Sequence, residues 1–95
     1  MSVYAVNKLC RRVVHEPELR AALNGPRATA EAAIRAAKPP LSEEEVRLVL
    51  DGEVGELGVR GCNYFLLHQL GRWEVLGMTL KIHGERVRAA QARTG

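Results

Sequence analysis

Three histidines and two cysteines are the residues of this 95-residue chain best suited to hold a metal or attack a substrate. Their spacing argues against both uses. His15, His68 and His83 are scattered, none has a second histidine four residues away, and no cysteine pair stands at zinc spacing. His15 and Glu18 would share a helix face, but Pro17 between them breaks the regular geometry. His68 follows an apolar run and reads as a half-buried helix residue. Cys10 falls on the apolar face of a helix. Cys62 precedes a helix N-terminus, where a thiolate is favoured. Either would be a nucleophile only if a base reached it in the fold, and both thiols read as packing groups. Gly52, Gly55, Gly58 and Gly61 lack the preceding strand and following Lys-Ser or Lys-Thr of a phosphate loop, and read as turn residues.

One stretch stands apart from the rest. Asn63-Tyr64-Phe65-Leu66-Leu67, behind Gly61-Cys62 and ahead of Gly71-Arg72-Trp73, gathers three of the chain's four aromatics into a short span. Trp73 beside Arg72 has two readings. A lone tryptophan anchors a small core, and Trp and Arg also dominate interface hot spots. The absence of any acid–base or metal constellation points to a binding or interaction module rather than a self-sufficient enzyme.

The elements that must position these residues are helical. Val3, Val6, Cys10, Val13 and Val14 recur at helical spacing and predict an amphipathic helix over 3–14. Pro17 suits the first turn of a short second helix whose apolar face is Leu19, Ala22 and Leu23, ended by Asn24-Gly25-Pro26. Residues 27–37 are alanine-dense around Ile34, which favours a helix that packs closely or lies on the surface. Pro39-Pro40 ends it. Ser42 and Glu45 form a capping box ahead of Val46, Val49 and Leu50, and Asp51-Gly52 stops that helix. Glu53 to Val59 reads as a short helical turn. A further helix is expected from Asn63 to Leu70, ended by Gly71, then a loop over 71–78 and a last helix from Thr79 to Ala92. No segment alternates as a strand does. The prediction is one all-α domain of about five or six short helices, with breaks near 16, 25, 39, 52, 61 and 72.

A domain this small buries only about 60–65% of its unfolded surface, so covering one more face against a partner is a natural source of stability. The net charge of +3 resides at the end: from Leu80 onward there are Lys81, Arg86, Arg88 and Arg93 against Glu85 alone. That distribution predicts a basic C-terminal helix or a solvated, frayed tail. A DNA-reading helix would carry Arg, Lys, Asn and Gln clustered at its start. The central helices carry no such cluster, which makes nucleic acid a disfavoured partner. No apolar run approaches the roughly 18 residues of a membrane span, and no signal peptide is apparent. Reduced thiols in the cytoplasm are the expectation.

Several blocks together resemble a known family. Val3-Tyr4-Ala5-Val6-Asn7-Lys8-Leu9 is similar to an opening Tyr-x-x-Asn helix, and Glu18-Leu19-Arg20 follows at matching spacing. Leu41-Ser42-Glu43-Glu44-Glu45 through Leu50-Asp51-Gly52 matches a capped helix after a linker. Leu57-Gly58 and then Gly61-Cys62-Asn63-Tyr64-Phe65-Leu66-Leu67 look like a Gly-rich turn entering an aromatic helix, and Gly77-Met78-Thr79 like the end of its loop. Over roughly residues 3–79 the chain resembles the small (alpha) subunit of protocatechuate 4,5-dioxygenase and related extradiol ring-cleaving dioxygenases.

The resemblance implies an all-α subunit that holds no cofactor itself. It implies a larger catalytic partner carrying Fe(II), its ligands and the base, which inserts both atoms of O2 into a catechol-type ring. In this expectation Arg72, Trp73, Val75 and Leu76 form a lid over the substrate pocket. Asn63, Tyr64, Phe65 and His68 support the lid or meet the partner. The alternative is a free-standing homodimeric helical module that shares the fold alone.

Overall fold

The computed structural model describes residues 3–94. Among them are seven helices and no strand: α1 (Val3–His15), α2 (Pro17–Leu23), α3 (Arg27–Arg35), α4 (Glu43–Leu50), α5 (Val54–Val59), α6 (Tyr64–Arg72) and α7 (Leu80–Thr94). The segment read as a short turn after Glu53 is helix α5, which raises the total above the predicted five or six.

The path follows from the apolar faces. α1 turns Ala5, Val6, Leu9, Cys10 and Val13 inward, and it packs against α2 and α6. α2 begins at Pro17 and buries Leu19 and Leu23. α3 buries Ala30 and Ile34 and leaves its other alanines at or near the surface, because one apolar stripe is all it has to offer. It bridges α2 and α4. α4 starts on the predicted capping box: Ser42 Oγ accepts the Glu45 N–H at 3.1 Å, and Glu45 Oε1 accepts the Ser42 N–H at 2.8 Å. The box explains how a carboxylate that is 1% exposed is tolerated there.

α7 is an integral part of this assembly. It packs on α5 and α6 and buries Ala90 and His83. Of the two readings of the basic end, helix or frayed tail, the structure shows the helix, α7 over 80–94. Arg86 donates to the carbonyls of Asp51 and Gly52 at 2.7 Å each, so one of the four terminal cations is already engaged with the fold. Gly55 makes the α5–α7 approach possible: a Cβ there would lie 2.3 Å from the Arg86 carbonyl oxygen.

Three helix ends share one hydrogen-bonding pattern. After α4, Gly52 N–H reaches the Val49 carbonyl and Glu53 N–H the Leu48 carbonyl, with Gly52 at φ +65°. After α5, Gly61 and Cys62 repeat it toward Gly58 and Leu57, with Gly61 at φ +107°. After α6, Glu74 N–H reaches Gly71 and Val75 N–H reaches Leu70, but the left-handed residue is Glu74, at φ +52°. These are Schellman ends, in which a residue of positive φ turns the chain to satisfy the last carbonyls. The predicted stop at Gly71 is therefore two residues early, since α6 runs on to Arg72. Gly71 lies inside α6, and its lack of a side chain lets the helix approach the Thr79 carbonyl, which a Cβ would meet at 2.9 Å.

Candidate functional site

The two sequence blocks that hold most of the aromatics meet in space. Asn63 caps α6, its Oδ1 accepting the Leu66 N–H at 3.2 Å. Its own N–H donates to Asn7 Oδ1 of α1 at 2.9 Å. This bond ties the start of α6 to α1 and fixes the two helices side by side.

The geometry leaves every aromatic side chain at the surface. Tyr4 is 64% exposed, Phe65 71%, Trp73 39% and Tyr64 38%. The core is aliphatic, built from residues such as Leu9, Leu23, Ile34, Leu57, Leu67 and Leu70. Tyr64 has a structural reason for its place, since its ring covers Gly58 so closely that a Cβ there would fall 2.2 Å from Cε1. Phe65 has no such burial. Trp73 is held from one side: the Arg20 guanidinium stacks 4.1 Å from its ring centroid. That guanidinium also donates to the Val13 and Val14 carbonyls at 2.8 and 3.1 Å. Arg20 thus links Trp73 to the C-terminal end of α1, where a cation is favoured.

Between α1 and α6 lies an open groove of about 440 Å³, lined by Arg11, Val14 and His15 from one side and Phe65, Leu66, Gln69, Arg72 and Trp73 from the other. No carboxylate lines it. Most of the chain's other arginines are held within the fold. Arg12 pairs with Glu16, Arg27 with Asp51, Arg35 with Glu31 and Glu43, and Arg60 with Glu44. Arg11 and Arg72 are exposed and make no ion pair among the described residues.

The residues expected to act together divide accordingly. Of the four expected lid residues, Arg72 and Trp73 face outward at the groove. Val75 is fully buried, and Leu76 packs partly against the core. Val75 is therefore removed from the outward-facing set; it belongs to the same buried core as Leu70. The turn that follows places Leu76 at φ +58° and Gly77 at φ +73°, with the Met78 N–H bonded to the Val75 carbonyl. Positive φ at both central positions is the type I′ geometry. Of the supporting residues, Asn63 and Tyr64 hold the framework and Phe65 lines the groove. His68 turns to α7, where its ring meets that of His83 edge-on at 5.3 Å between centroids. The groove residues Arg11, Val14, His15, Leu66 and Gln69 were missed as a set. Periodicity places Arg11 and His15 on the outer face of α1, but only the Asn7–Asn63 bond shows that α6 lies alongside.

The thiols match the packing reading. Cys10 is fully buried and its pKa is pushed up to about 12 by burial, with a smaller effect of Cys62. Burial, with Glu45 nearby and Arg60 opposing, pushes Cys62 up to about 11. Both remain protonated thiols near neutral pH, the inert condition of a buried cysteine. His83 is held below the ordinary histidine range by burial and then by His68, and its Nδ1 is buried without a hydrogen-bond partner. Among the described residues no group of three or more His, Cys, Asp or Glu side chains gathers to hold a metal, and no helix is long and apolar enough to cross a membrane.

Compared with protein families, with curated proteins and with solved structures, the chain matches none.

Proposed function

We propose that this chain is a non-catalytic small subunit of an extradiol, ring-opening dioxygenase, docking on a larger subunit that carries the Fe(II) and the catalytic residues. One observation carries the reading: all four aromatics of a small aliphatic-cored domain are at its surface, two of them around a groove. Aromatic side chains supply the largest apolar area available to a small core. A chain that leaves Tyr4 and Phe65 largely exposed and one face of Trp73 open on one helix pair keeps them for a partner. Further support comes from where the resemblance lies. Asn7 of its first block and Asn63 of its third, 56 positions apart in sequence, are joined by a hydrogen bond at this same face.

The chain's contribution is positioning and enclosure. Iron-bound catecholate and O2 form reactive species that need a dry site, and a fitted lid supplies that without giving a proton or an electron. Arg72 and Trp73 are the lid residues in this proposal, with Arg20 holding the indole in place. In this proposal the iron and its ligands belong to the partner.

The test is ring-cleavage turnover by a large extradiol subunit from the same source, with and without this chain. Added chain raises turnover, and Trp73→Ala lowers both turnover and substrate affinity of the complex. Unchanged turnover and affinity with Trp73→Ala would remove the lid role. A homodimer formed through the same face, with no affinity for a dioxygenase subunit, would replace this reading by the free-standing module.

A further inference from the structure

We infer that the groove between α1 and α6 receives an acidic protein segment carrying a large apolar side chain. The occupant follows from the groove's chemistry. Phe65, Leu66, Val14 and the open face of Trp73 form an apolar floor in about 440 Å³, the size of pocket that encloses large side chains. Arg11 and Arg72 stand on opposite walls, from different helices, with His15 at the end of α1. No acid lines the groove, whereas Arg12, Arg27, Arg35 and Arg60 elsewhere are matched by carboxylates of the chain itself. Of the acids adjoining the groove residues in sequence, Glu16 is held by Arg12 at 2.8 Å, while Glu74 is exposed beyond Trp73 and does not line the groove. Lys8 continues the same stripe of α1 and is also exposed. Two cations flanking an apolar floor complement carboxylates flanking an apolar anchor, and such complementarity chooses the partner and orients it. A nucleic-acid strand fits less well, because Arg11 and Arg72 face each other across an apolar floor and do not follow one another along a phosphate track.

This inference names the chemistry of the partner surface for the face assigned above, and it rests on that reading only in that a protein partner exists. Its test needs no dioxygenase, so the two fail separately. Trp73 is the only tryptophan, so its emission reports on the groove in the intact chain. The probe is a short synthetic peptide of Asp and Glu around a Leu-Phe-Leu centre, beside versions with Asn and Gln, or with Lys, in the acidic places. The acidic peptide shifts Trp73 emission, binds at least about tenfold more tightly than the neutral one, and weakens as salt is raised.

The double charge reversal Arg11→Glu with Arg72→Glu transfers the preference to the Lys peptide. Both sites are exposed, and an unchanged circular dichroism melt shows that the variant is folded. Phe65→Ser, at a position 71% exposed, independently weakens binding of the acidic peptide about tenfold or more. Equal binding of acidic and neutral peptides, or no change in Trp73 emission with any of them, would overturn the inference. Preference for a single-stranded oligonucleotide over the acidic peptide would assign the groove to nucleic acid instead. Self-association abolished by Phe65→Ser would assign it to a second copy.

Discussion

Gly55→Ala sets two physical effects against each other, and the structure decides which wins. Gly55 lies inside α5, where alanine is the better helix former by about 0.5–1 kcal/mol. On propensity alone the substitution stabilises. The packing opposes it. The new Cβ would stand 2.3 Å from the Arg86 carbonyl oxygen and 2.8 Å from the Ala90 Cβ. The nearest atom is backbone, so no rotamer change relieves the clash and α7 must move away from α5. Overpacking costs about 1–3 kcal/mol, and a backbone clash this close belongs in the upper part of that range, about 2–3 kcal/mol, which leaves a net loss of about 1–2.5 kcal/mol. For a domain of this size that is a fall in Tm of about 4–20 °C.

Gly84→Ala is the control on α7. Its nearest neighbour is Arg88 Nη1 at 3.1 Å, the free end of a flexible side chain that can swing away. There the propensity gain prevails and Tm rises by a few degrees. Thermal melts of the two variants by circular dichroism or calorimetry make the comparison. A Gly55→Ala chain that melts at or above the original temperature would refute the close α5–α7 packing.

Three further outcomes follow from particular contacts. His83 has a folded pKa below its unfolded value of about 6.5, so the unfolded chain binds the proton more readily; stability is greatest above that pH and falls as pH drops through the folded value. Urea midpoints from pH 7.5 to 5.5 will show this loss, and His83→Leu will flatten it, whereas the lowered Glu16, Glu43 and Glu44 pKa values act only at more acid pH. Asn7→Ala removes the bond to the Asn63 N–H, costing about 0.5–1.5 kcal/mol and speeding hydrogen exchange at that amide; unchanged exchange would contradict the α1–α6 tie. Glu74→Gly relieves a left-handed residue and stabilises by about 0.5–1 kcal/mol in urea unfolding, after the glycine's greater unfolded freedom is set against it.

Much of the fold was legible because its signals are local. Pro17, the Ser42–Glu45 box and the Asp51-Gly52 stop each act within a few residues, and each fell where the sequence placed it, whereas α3 ends at Arg35, ahead of the expected stop at Pro39-Pro40. The end of α6 did not, and the reason is specific. Glycine is the usual left-handed residue of a helix end, so Gly71 read as the stop. In the fold Gly71 serves close approach to Thr79, and Glu74 takes the left-handed conformation. Val75 was likewise taken for a surface residue, because no local pattern announces that a loop side chain turns back into the core. The groove was legible only by half. Phe65, Arg72 and Trp73 lie in one short span, but Arg11, Val14 and His15 come from a helix more than fifty residues earlier, brought there by packing.

The central claim is that the Phe65–Trp73 face binds a large extradiol dioxygenase subunit. Sedimentation of this chain mixed with such a subunit from its own source tests it most directly. The account predicts a stable complex with the original chain and its loss with Phe65→Ser, whose fold and melting temperature stay unchanged because that ring is 71% exposed. A chain that remains separate from the subunit, or a complex that survives Phe65→Ser undiminished, would contradict it.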